Sequence, residues 1–201
     1  MTPNATSKPV PRPTIITTPE VRLSFPALFK PKPKSQGSAE LTYQATLLIP
    51  PTCDLKPFIT AMQAAIAARW GAKVPPGLRN PIRNAEEKDY AGYEKGWKFI
   101  STQNTSPVPV VDRQRIPITD PSKVYAGCWI HACIGAWTYD NVSKGVSFEL
   151  KAVQFLRDDE RLDGRGKPVN PDEAFEAIEM PPEETASGGA IDPAQFFQGM
   201  S

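Results

Sequence analysis

Prolines limit this chain more than any other residue type. There are 23 of them in 201 residues, spread from Pro3 to Pro193. Each lacks the backbone N–H that a helix interior or a central ladder uses, so long helices and wide regular sheets are disfavoured. Short strands joined by long loops suit this spacing better. Hydrophobic residues make up 40% of the chain, enough to build a core, and the length suits one domain with tails.

Alternation of apolar and polar residues places the elements. Val21–Phe25 reads as a first strand stopped by Pro26, and Leu41–Ile49 as a second, ended by Pro50-Pro51. A helix is predicted over Leu55–Trp70, capped by Thr52 or Asp54 and closed by Gly71. Phe58, Ile59, Met62, Ala65, Ile66 and Trp70 fall at helical spacing within it. Trp97–Thr102 is extended, Val108–Arg113 is a shorter piece broken by Pro109, and Gly127–Tyr139 with Val146–Leu156 forms a hairpin. Residues 72–95 form an irregular connection of a length that is usually functional or mobile. About six strands and one main helix imply a mostly β chain, an OB-fold-like antiparallel β-barrel. The expected organisation is a disordered arm over residues 1–19, a domain over 20–167, and an acidic flexible tail over 168–201.

Charge divides along the same boundary. Residues 1–167 hold all 23 Lys and Arg and 15 of the 22 acids, a net +8, whereas residues 168–201 hold seven acids and no base. A basic body facing a polyanion, with a tail able to compete for the same surface, fits this asymmetry. No run of about 18 apolar residues exists to span a membrane, and Met1–Pro19 lacks a signal-peptide core, so a cytoplasmic protein is expected. Cys53, Cys128 and Cys133 read as free thiols.

The segment Cys128–Tyr139 is the most informative. Its even positions (Cys128, Ile130, Ala132, Ile134, Ala136, Thr138) are small or aliphatic and suit a core. Its odd positions include Trp129, His131, Trp137 and Tyr139, large flat rings with Gly135 between them. Nucleobases stack on such rings without regard to sequence, although Trp and Tyr on strands also serve as core or cross-strand pairs. Basic residues interleave with aromatics elsewhere. Lys30, Lys32 and Lys34 repeat every second residue on a proline-stiffened loop, Arg113 and Arg115 repeat that spacing, Lys98 follows Trp97, and Arg79 and Arg83 mark the long connection. Phosphate contacts from such residues make binding salt-dependent.

Catalytic readings find less support. Strand geometry sets Cys128 on the face opposite His131 and Cys133, which argues against a zinc site completed by Cys53. No P-loop or GxGxxG is present. Asp112, Asp120 and Asp140 could hold Mg²⁺ for a nuclease but sit in contexts suited to turns and ion pairs. No catalytic residue, metal or cofactor is expected.

Several blocks then follow in a recognisable order: VRLSFPALFKPK, YQATLLIP, a helix ending in RWG, PVVDRQRIPI, YAGCWIHACIGAWTYDN, KGVSFELKAVQFLRDDERLDGR and an acidic tail. The series, over roughly residues 20–170, resembles a phage and prophage family of single-stranded-DNA-binding proteins related in fold to that of phage T7. The resemblance implies an OB-fold, no catalysis, a role in phage DNA replication and recombination, and a tail that recruits replication proteins near a terminal aromatic. Here Phe196-Phe197 are followed by four more residues. Glu183, Glu184, Asp192, Phe196 and Phe197 are the tail residues assigned to partner binding. The expected partners are single-stranded DNA and, through the tail, replication or recombination proteins, with a homodimer allowed. The alternative is a structural or scaffolding phage protein whose aromatic face is a protein interface.

Overall fold

The alternation read across Cys128–Tyr139 builds one side of a ring of strands. In the computed structural model, which describes residues 14–164, β7 (Trp129–Asp140) pairs antiparallel with β8 (Lys144–Arg157). The connection is three residues, shorter than expected from sequence. β2 (Val21–Pro33), β3 (Leu41–Ile49) and β5 (Lys98–Asn104) complete a closed circuit in the order β7-β2-β3-β5-β8. The closing pair is parallel: Thr102 faces Phe148 and Gln103 faces Glu149. The ring is therefore not wholly antiparallel, because β5 and β8 are joined by a long path rather than a hairpin.

Three short strands decorate the ring, bringing the total among the described residues to eight. β1 (Ile15–Thr17) pairs with Cys133–Gly135 of β7, β4 (Arg83–Asn84) pairs with β5, and β6 (Val110–Val111) pairs with β8. β1 corrects the reading of residues 1–19 as wholly unstructured: Thr18 is buried and its hydroxyl accepts the Ala132 N–H.

β2 runs straight through Pro26, where sequence places a stop. Its pairing with β3 jumps from Ser24↔Thr46 to Ala27↔Gln44 and again to Lys32↔Thr42. These bulges leave Phe25 and Pro26 out of the ladder, so the missing proline donor costs nothing there. Phe25 takes a left-handed φ of 46° and swings outward, 55% exposed. Simple alternation would have buried it with Val21 and Leu23.

The inward faces form the core. Leu23, Leu47, Ile100, Ile130, Ile134, Phe148 and Leu150 are fully buried. Helix α1 (Lys56–Trp70) lies against β7 and the short β1, burying Phe58, Ala61 and Ala65, and Phe58 meets Phe148 edge to face at 6.2 Å. Ile59, expected on the buried stripe, is exposed, since it lies about 100° round the helix from Phe58. Leu55 stands at the N-cap without a capping side chain, and Asp54, one residue earlier, accepts the first helical N–H, that of Lys56, with Oδ1 at 2.9 Å. Gly71, at φ 54°, ends it as expected.

Residues 72–95 are docked rather than loose. Ala85 and Tyr93 pack with Leu48 and Phe99 in a second small cluster, against Trp97 and Leu162. The segment after β8 is also tied down: Leu162 N–H donates to the Ala126 carbonyl, and Tyr125 Oη donates to Asp158 at 2.8 Å.

Candidate nucleic-acid interface

The outer face of β7 has two unlike ends. At the first, Trp129 Nε1–H donates to Asp159 Oδ2 at 2.6 Å, and the Arg157 guanidinium lies 4.4 Å over the ring. Trp97 leans on the same ring at 6.2 Å. Arg22, buried, donates from Nε to the Gly127 carbonyl and from Nη2 to the Glu160 carbonyl, and stands 4.0 Å from Asp159. This end is a brace that pins the chain after β8 to the ring. The hydrogen bond from Trp129, with help from Arg22 and Arg157, holds the Asp159 carboxyl below its ordinary range. A lowered carboxyl stabilises the fold above its unfolded value, about pH 4, and that gain is lost as pH falls through the lowered value. Asp159→Asn is therefore expected to lower the melting midpoint at pH 6 and to match the parent near pH 2. The difference should stay below about 1 kcal/mol, because the carboxylate is partly exposed and screened. Equal midpoints at pH 6 would show that the charge does not matter.

The second end is open. Trp137 is 43% exposed and stands 5.9 Å from Tyr139. It lines a groove of roughly 280 Å³ with Lys34, Thr42, Gln103 and Glu149. Tyr139 faces Gly145 across the hairpin, and a Cβ at Gly145 would meet Tyr139 Oη at 2.5 Å and Arg79 Cβ at 2.9 Å. Arg79 is held there by its own backbone, which donates to Lys144 O and accepts from Val146 N–H. Between the two ends, Lys151 lies over Gly135 and pairs with Glu149 at 2.8 Å. His131 Nδ1 is 2.9 Å from the Thr18 carbonyl, so its ring is tied to the β1 side.

The other basic residues are dispersed. Lys30 and Lys32 are exposed and line a larger groove, whereas Lys34 pairs with Glu40 at 2.9 Å. Lys98 bonds to Asn84 Oδ1, and Arg113 Nε bonds to the Leu156 carbonyl. Arg113 and Arg115 do not continue an extended strand, because β6 stops at Val111. They sit in a turn in which Asp112 Oδ1 accepts from Gln114 and Ile116 N–H and Arg115 takes φ 68°.

The three acids weighed for Mg²⁺ have local roles: Asp112 closes that turn, Asp120 accepts from Ser122, and Asp140 pairs with Lys144 at 3.2 Å. Cys128 faces the core, where burial pushes its thiol up to about 12, while His131 and Cys133 face outward.

The sequence as a whole matches a family model described as Enterobacter phage Enc34, ssDNA-binding protein, over residues 14–186. The chain belongs to this Enc34 family of phage single-stranded-DNA-binding proteins. Protein p50 of Acyrthosiphon pisum secondary endosymbiont phage 1 is 36% identical over 176 residues, covering 82% of this chain and 94% of p50. The single-stranded DNA-binding protein of bacteriophage Enc34, solved in complex with ssDNA, aligns with a TM-score of 0.62 at 24% identity, over 74% of this chain and 89% of that one. The single-stranded DNA binding protein gp2.5 of bacteriophage T7 aligns at 0.54 and 13% identity, over 77% and 98%. At these identities the two structures speak for the fold, which is of the OB type.

Within this Enc34-family chain, sequence reading missed several exposed groups. Phe25 and Tyr90 form an exposed ring pair at 5.1 Å, hidden from sequence because only the β2 bulge turns Phe25 outward. Half-buried Lys151 was legible as an outward position of β8 from its alternation, whereas Arg157 lies one residue past the expected strand end and beyond two register shifts. The tail residues Glu183, Glu184, Asp192, Phe196 and Phe197 lie outside the described residues.

Proposed function

We propose that this protein coats single-stranded DNA, without sequence preference and without a catalytic step, in phage replication and recombination. The observation that carries the reading is the exposed Trp137 beside half-buried Tyr139 on β7, with Lys34 on its groove and Arg79 and Tyr139 both next to Gly145. Bases stack on these rings while the cations meet phosphates. The match to a family of single-stranded-DNA-binding proteins supports the same reading. The acidic segment after residue 168 competes with DNA for the basic body when DNA is absent, and reaches partner proteins when DNA displaces it.

Titration with oligo(dT) under tryptophan fluorescence tests the core of this reading. Quenching is expected at low salt. With about four phosphate contacts, affinity should fall roughly 50-fold between 50 and 200 mM salt. Absence of binding at low salt would remove the reading and leave the aromatic face as a protein interface of a scaffolding protein. Deleting residues 172–201 is expected to tighten binding, most at low salt; unchanged affinity would remove the competition by the tail.

A further inference from the structure

A second groove, along β2, shares no lining residue with the groove of Trp137. It measures roughly 750 Å³, within the ~300–1,000 Å³ range of pockets that enclose small-molecule-sized groups. Its floor carries Phe25 and Tyr90, 55% and 53% exposed, with centroids 5.1 Å apart and planes at 75°. Tyr93, nearly buried, backs both rings at 6.4 and 5.4 Å, so the pair is held rather than loose. Exposing Phe25 requires a left-handed φ of 46°, a conformation that non-glycine residues adopt only when the surroundings impose it. The fold thus holds a phenylalanine in strain to present its ring to solvent.

The groove is also cationic along one wall. Lys30 and Lys32 line it, and both are exposed. Arg161 lies on another wall, stacked at 4.3 Å over Tyr125 and paired with Asp163 at 2.9 Å. Lys34, next along the arm, lines the groove of Trp137 instead. The segment from Lys30 to Lys34 is therefore a cationic ridge that contributes to both grooves, each of which holds an exposed aromatic.

We infer that Phe25 and Tyr90 form a second nucleobase platform, and that one DNA strand crosses the Lys30–Lys34 ridge to occupy both platforms at once. This rests on the single-strand-binding function proposed above and adds the path of the strand. The rings meet edge to face, so a base stacks on an outer ring face and is not inserted between them. Phosphates either side of it fall to Lys30 and Lys32.

The test compares oligo(dT) of roughly four and roughly sixteen nucleotides, near the ends of the range for one OB unit. The variants are Phe25→Gly, which removes the ring and relieves the left-handed φ, and Tyr90→Leu, which keeps apolar packing. Each is expected to lower affinity for the long oligonucleotide about tenfold or more. The short one should change by about twofold at most, because the Trp137 platform still accepts it. Thermal melting checks that each variant folds. Should either fail, wild-type protein cross-linked to 4-thiothymidine-substituted long oligonucleotide gives the same answer, with adducts expected on the peptides of Phe25 or Tyr90. Long-oligonucleotide affinity kept by both variants, or adducts confined to β7, would overturn the second platform while leaving the first intact. A change in self-association without a change in DNA affinity would also overturn it and make the rings a protein contact. Failure of wild-type protein to bind either oligonucleotide would sink the proposed function itself.

Discussion

Gly127→Ala is expected to lower the melting midpoint by roughly 10 °C. Gly127 has φ 116°, and a Cβ there would stand 2.1 Å from the Glu160 carbonyl oxygen and 3.1 Å from Arg161 Cα. The obstruction is the backbone of Glu160–Arg161, so no side chain can rotate away. Gly127 also joins three parts of the fold: its N–H donates to Leu23 O, its carbonyl accepts from Arg22, and Glu160 accepts from the same guanidinium. Overpacking costs about 1–3 kcal/mol and forced left-handed backbone a similar amount. A domain of about 150 residues loses roughly 2–4 °C per kcal/mol. Thermal unfolding followed by circular dichroism checks this, and a midpoint within about 2 °C of the parent would mean that the strap after β8 moves aside freely.

Trp137→Ala is expected to weaken single-stranded DNA binding by about 1–3 kcal/mol, the measured worth of one base–aromatic stack, with little change in melting. Its ring is exposed and, among the described residues, Tyr139 is the aromatic it meets. Trp129→Phe should do the reverse. It removes the hydrogen bond to the partly exposed Asp159, a bond worth about 0.5–1.5 kcal/mol, and weakens the contact with Arg157, so melting falls while DNA affinity holds. Affinity titrations and melting curves of the two variants decide the matter together. Loss of affinity on replacing Trp129 alone would relocate the binding platform to the braced end.

Much of this was legible in the sequence. The even and odd sides of Cys128–Tyr139 segregate in the fold as alternation predicts, with Ile130, Ala132 and Ile134 buried and Trp137 exposed. The helix, its glycine stop and the hairpin follow from local rules that act over a few residues. What alternation could not separate was Trp129 from Trp137. Both lie on the outward face of one strand, and what braces one and leaves the other open comes from distant segments: Arg157 and Asp159 for Trp129, Lys34 and Glu149 for Trp137.

The sequence by itself determined the strand faces, the helix and the division of charge, because side-chain period and capping are local properties of the backbone. Only the tertiary structure decided which rings face solvent and which cations stand near them. Phe25 turns outward because the β2–β3 register slips at Ser24, and β1 forms because β7 offers it an edge. Arg79 comes to lie next to Gly145, opposite Tyr139, because a long connection docks on the hairpin. Register and docking are set by contacts between segments distant in the chain, and no local pattern encodes them.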